Sequence, residues 1–190
     1  MTQITARHRL VEAAIEAFAE KGFHATTTRD IASRAGMSPA ALYVHHDSKE
    51  SLLFSLSREG HLRALEVIQD AASGQGDPVK RIYAMVYDFT KWHADHSRRG
   101  RIVQYELAGL APEHLQEVAG YRREIEKTMR DALDDGVACG VFQIQDVPGT
   151  ALAMLSLGID LVRWFQPDGS RSSEDVAELY AQLALRMVGR

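Results

Sequence analysis

Between Thr27 and Lys49 the chain carries residues whose types and spacing suit the reading of a nucleic acid: TTRDIASRAGMSPAALYVHHDSK. Arg29 has a guanidinium fork that can bond two acceptors on a guanine edge. Ala40, Ala41 and Val44 offer only apolar contact, of the kind a thymine methyl accepts. A surface this poor in donors must draw much of its affinity from phosphate contacts and from DNA shape. Arg29 next to Asp30 also admits a plain ion pair, so both uses stand at this point.

Two short helices must position these residues. Ile31 and Ala32 give the first an apolar face, and Gly36 suits the left-handed conformation that ends a helix. Ser38 is an N-cap and Pro39 a first-turn residue of the second helix, which continues through Ala40, Ala41, Leu42 and Tyr43. A helix, a glycine turn and a capped second helix make the helix-turn-helix plan, in which the second helix enters the major groove. Before it, Thr5 to Gly22 reads as a bracing helix with Leu10, Ala14, Ala17 and Phe18 on one face.

The segment resembles the DNA-binding domain of the tetracycline-repressor (TetR/AcrR) family. The likeness rests on Thr27-Thr28, Ile31-Ala32, Ala35-Gly36, Ser38, Leu42-Tyr43, His45 and Ser48-Lys49-Glu50 with Leu52-Leu53, and residues 5–55 carry nearly all of it. His46 departs from the pattern, which has a large apolar residue there. The resemblance implies an all-α fold and a dimeric, ligand-responsive repressor of a palindromic operator. Carried over by position, Thr28 is a phosphate ligand and Arg29 a base reader. Pro39, Ala40, Ala41, Val44 and His45 form the base-facing surface, Tyr43 and Lys49 hold phosphate, and Ser38, the cap of that helix, belongs to the same DNA-binding set.

The rest of the chain reads as helices as well, about nine in all. A long helix from Ser48 to about Ala72 has Leu52, Leu53, Leu56, Leu62, Leu65 and Ile68 on its inner side. It leaves the motif without a flexible linker. The division expected is a helix-turn-helix domain over 1–47 and an effector-binding and dimerisation domain over 48–190. Residues 73–76, Ser-Gly-Gln-Gly, break the long helix, and Asp77-Pro78 starts another. Helices follow over 98–108, 113–139, 147–165 and 173–187. The segment 147–165 is too interrupted by Pro148, Gly149, Asp160 and Arg163 to cross a bilayer.

The two last helices are apolar enough to need a partner. Because helix-turn-helix proteins read half-sites about 34–36 Å apart, a homodimer is expected. Leu152, Leu155, Ile159, Val176, Leu179, Tyr180, Leu183 and Met187 are its candidate interface. The effector pocket is expected among Tyr83, Tyr87, Trp92, His93, Tyr105, Arg163 and Trp164, since aromatics with a few polar groups make the usual small-molecule site. Arg163-Trp164-Phe165 resembles a segment of family members that respond to coenzyme A thioesters; the rival effector is an uncharged apolar compound. Asp160, three residues before Arg163, offers it a pairing partner.

Bulk properties bound this reading. The 190 residues carry a net charge of −4, which alone gives no hint of a nucleic-acid partner. Within 1–47, Arg7, Arg9, Lys21, Arg29 and Arg34 balance Glu12, Glu16, Glu20, Asp30 and Asp47, so the acidity falls on the remainder. DNA binding is therefore argued from the motif. A lone Cys139 excludes an intrachain disulfide and, with no signal pattern, a cytoplasmic protein is expected. His93-x-x-His96 lacks the further ligands a metal needs, and no nucleophile elbow or phosphate loop appears, so no metal, cofactor or enzyme is expected. A helical ligand carrier or enzyme without DNA binding is the alternative.

Overall fold

Local capping chemistry sets the helix ends in the computed structural model, which describes residues 5–74 and 76–189. Gln75, part of the expected helix break, lies outside the described residues. The described chain is all α-helical apart from two short 3-10 turns, with no strand: α1 (Ala6–Ala25), α2 (Thr28–Arg34), α3 (Pro39–Tyr43), α4 (Lys49–Ser73), α5 (Pro78–Asp95), α6 (Ser97–Tyr105), α7 (Pro112–Ala138), α8 (Val147–Asp160) and α9 (Ser173–Met187).

Regular α1 ends earlier than its full span, because Gly22 sits at φ +76° and kinks the chain. Thr26 holds the kink: its buried hydroxyl lies 3.1 Å from the Ala17 carbonyl and 2.7 Å from that of Gly22. α2 opens on a capping box in which Thr27 Oγ1 accepts from Asp30 N and the Asp30 carboxylate accepts from Thr27 N. These bonds to Thr27 hold the Asp30 carboxyl down at about 2. At its other end Gly36 takes φ +66°. The Met37 amide donates to the Ala32 carbonyl and the Gly36 amide to that of Ser33, the double bond of a Schellman turn. Ser38 then caps α3, accepting from Ala41 N at 3.2 Å.

The expected boundary at residue 48 is not where the packing divides. The first compact unit takes in the chain up to Gly60 together with Arg98–Val118; the second is His61–Ser97 with Ala119–Arg190. In the first, Leu10, Phe18, Ile31, Ala32, Leu42, Leu52, Leu53 and Leu56 form one core, and Ile102, Val103, Leu110 and Val118 join it. Each large side chain so buried contributes roughly 1.5–3 kcal/mol. Glu106 accepts from the Phe23 amide at 3.2 Å, and Glu50 accepts from the Ala111 amide at 2.9 Å. The second unit has its core among Ile68, Ile82, Met85, Phe89, Met129, Leu133, Met154 and Leu155. Gly158 lets α8 approach α5, where a Cβ would meet the Phe89 ring at 2.9 Å. No helix among the described residues is long and apolar enough to cross a membrane.

Candidate nucleic-acid interface and effector region

The α3 helix has only five residues, so its tertiary support decides which way it points. Leu42 is wholly buried and His46 nearly so, which pins the inner side. The outer side is left to solvent: Pro39, Ala40, Tyr43, Val44 and His45 are exposed, Val44 to 78%. Ala41 is half-buried. Thr28 at the start of α2 and Tyr43 at the end of α3 meet through their hydroxyls at 3.3 Å. Two groups expected to share phosphate contacts are thus adjacent before any DNA arrives. Arg29 is exposed and, among the described residues, makes no ion pair; Asp30 is taken by Thr27 and Lys21. The guanidinium is left open to an outside acceptor.

Lys49 requires a correction. Its ammonium donates to the carbonyls of Phe23, His24 and Thr26 at 2.8, 3.1 and 2.9 Å, and lies 4.6 Å from the centre of the Phe23 ring. An ammonium has three donors, and all three are used. Lys49 closes the C-terminal turn of α1 and is not disposed to grip phosphate. The lysine follows the motif at the expected spacing; its partners, 23 to 26 residues back, gave no signal in the sequence.

The effector candidates differ in burial and in partners. Tyr83 and Tyr87 stack with centroids 5.9 Å apart beside a surface groove of about 480 Å³ that also touches Asp88 and Leu185. The Tyr83 hydroxyl donates to Glu178, which pushes its own ionisation up to about 12. His93 is interior: its Nδ1 donates to the Phe89 carbonyl at 2.8 Å, and burial pushes it down to about 4, so it is neutral. Trp92 packs edge-on against His93 and stacks on His96. Arg163 is exposed and paired with Asp160 at 3.0 Å, as the spacing allowed, and Trp164 is exposed too. Tyr105 is exposed and belongs to the first unit.

The candidate dimer face divides in two. Leu152, Leu179 and Met187 are exposed, Leu152 to 58%, and Ile159, Tyr180 and Leu183 are half-buried. Leu155 and Val176 are corrections: both lie inside the chain's own core, Val176 at 0% exposure, so neither has surface to give a partner. Leu157 on α8 is exposed as well.

Comparison with known proteins puts these observations in a family. Residues 10–56 match the bacterial regulatory proteins of the tetR family, and residues 75–188 match the tetracyclin repressor-like C-terminal domain. The HTH-type transcriptional repressor KstR2 of Rhodococcus jostii is 32% identical over 183 residues, 94% of this chain and 89% of that protein. A bacterial regulatory protein of the tetR family from Rhodococcus RHA1 has a crystal structure similar to this one at TM-score 0.91, with 41% identity and 98% of each chain covered. The ketosteroid transcriptional regulator KstR2 of Mycobacterium tuberculosis superposes at TM-score 0.88, 27% identical, over 97% of this chain and 95% of that one. All are regulators, which removes the alternative of a helical enzyme. The chain belongs to the TetR family of helix-turn-helix transcriptional regulators.

Proposed function

We propose that the protein is a cytoplasmic repressor that binds a palindromic operator as a homodimer and leaves it when a small molecule binds the larger domain. The observation that carries this reading is the outer side of α3. A capped helix exposes Pro39, Ala40, Tyr43, Val44 and His45 together, flanked by Arg29 and the Thr28–Tyr43 pair. Function divides near residue 48, with reading in 1–47 and sensing and dimerisation in 48–190. Thr28 and Tyr43 hold phosphate, Arg29 reads a base, and Ser38, whose oxygen caps α3, sets the entry angle.

The effector is a small metabolite with an apolar part. The exposed Arg163–Trp164 pair supports a coenzyme A thioester, because a cation and an indole together suit a nucleotide moiety. Effector binding shifts the population toward a spacing of the two reading heads that mismatches the grooves, and by linkage DNA weakens effector binding by the same factor.

Selection of bound fragments from genomic DNA tests the reading directly: an enriched inverted repeat is expected, and no enrichment at modest salt removes it. With that operator in hand, Arg29→Ala is expected to weaken binding about 10–100-fold and to relax preference at one guanine. A loss spread evenly over all sequences would instead make Arg29 a phosphate ligand. Leu152→Glu with Leu179→Glu is expected to give a monomer in sedimentation, with operator affinity falling in step. A dimer that survives both charges would move the interface off α8 and α9.

A further inference from the structure

His46 occupies the inner side of the turn that follows α3, where it is only 5% exposed. Its backbone amide donates to the Leu42 carbonyl at 2.9 Å, so the ring is carried directly by the reading helix. Among the described residues the buried Nε2 has no hydrogen-bond partner. A neutral imidazole tolerates this at modest cost. An imidazolium does not, since it would bring a charge and two obligatory donors into a place where the described residues give Nε2 no acceptor.

Among the described residues, the charged and titratable groups that act on the ring are Arg7 from α1 and His45 and Asp47 on its own segment. Arg7 and a protonated His45 oppose a second positive charge, and Asp47 favours it. Burial is the larger influence, and it holds the ring below its ordinary value of 6.5. The sign follows from linkage. A depressed histidine adds stability that is complete above the unfolded value and is lost as pH falls below 6.5 toward the folded one.

We propose that His46 is a proton-operated release for the reading helix: in mildly acidic conditions a proton on its ring expels it from the core, frees residues 44–47 and lowers operator affinity. The neighbours freed with it, Val44 and His45, are those on the DNA-facing side of the turn. A five-residue helix held mainly by Leu42 and His46 has little else to keep that turn in place. This rests on the reading of α3 as the DNA-reading helix.

The test compares operator affinity of the wild type and His46→Phe at about pH 7.5 and about pH 5.5, at one ionic strength. The expected result is that acidification weakens the wild type at least about fivefold more than the variant; one proton allows up to tenfold per pH unit. Every group other than His46 is the same in both proteins, so its pH dependence cancels in the comparison. Matching pH ratios within about twofold overturn the proposal. Failure of both proteins to bind at the higher pH would instead condemn the DNA-reading assignment. A wild-type measurement covers a misfolded variant. The His46 ring, followed by NMR, is expected to titrate below 6.5 together with broadening of the 43–47 amides. Titration at or above 6.5, or with those amides unchanged, also overturns it.

Discussion

Lys49→Met is expected to cost about 3 kcal/mol of folding stability while leaving the salt dependence of operator binding unchanged. Hydrogen bonds from a charged donor contribute about 1.5–3 kcal/mol each when buried. Lys49 makes three; the one to His24 is exposed and adds little, and the two partly buried ones, to Phe23 and Thr26, at about 1.5 kcal/mol each give the total. Methionine keeps the length of the stem and removes the ammonium, so the carbonyls it had joined turn to water or to nothing. Arginine is not expected to restore stability, since a planar fork cannot serve three converging carbonyls. Urea denaturation gives the first quantity, and the slope of log affinity against log salt gives the second. A slope reduced by about one, with stability unmoved, would return Lys49 to the phosphate backbone.

That reassignment marks the boundary of what could be read beforehand. Caps and turns are local chemistry, and they were legible. Ser38-Pro39 opens α3 and Gly36 closes α2 with φ +66°, because these residue types solve a backbone problem within a few positions. The Thr27-x-x-Asp30 capping box had the same kind of signal and was overlooked. Contacts made across the chain carried no such mark. Glu50 reaches Ala111 and Glu106 reaches Phe23, at separations of 61 and 83 residues.

Amphipathic spacing shows that a helix has an apolar face without saying what covers it. α9 has apolar residues in excess of what one face needs. Val176, Ala177, Ala181 and Ala184 turn to the core, while Leu179 and Met187 turn out. Leu155 and Val176 share that spacing and lie on the core side. Aromatic residues were equally ambiguous: His93 is interior, Tyr105 is on the surface, and neither type of residue announced which.

The division of the chain constrains how a signal can travel. The backbone passes between the two units at 60–61, 97–98 and 118–119. The first and third of these points lie inside α4 and α7, and the second opens α6. Segment 98–118 belongs to the DNA-reading unit although the sequence places it amid the sensing helices. Whatever moves it moves part of the reading head's own core.

The double substitution Glu50→Ala, Glu106→Ala is therefore expected to lower operator affinity at least about tenfold and to cost about 3–4 kcal/mol of stability. Glu50 Oε1 accepts from the Ala111 amide at 2.9 Å and lies 2.8 Å from His114 Nδ1, and the His114 ring stacks on Phe54 at 3.7 Å. Glu106 accepts from the Phe23 amide just past the Gly22 kink, a donor for which α1 has no carbonyl in register. Cutting both ties leaves the Phe23 and Ala111 amides without their acceptors and takes the brace of 98–118 off α1 and α4. The two sites share no partner, so their costs should add to within about 0.5 kcal/mol. Amide exchange at Phe23 and Ala111 reports each tie separately, and both should open at lower free energy in the variant. Operator affinity within about twofold of wild type, with exchange faster at both amides, would mean that the 98–118 segment only fills the core of the head and does not hold its reading helix in position.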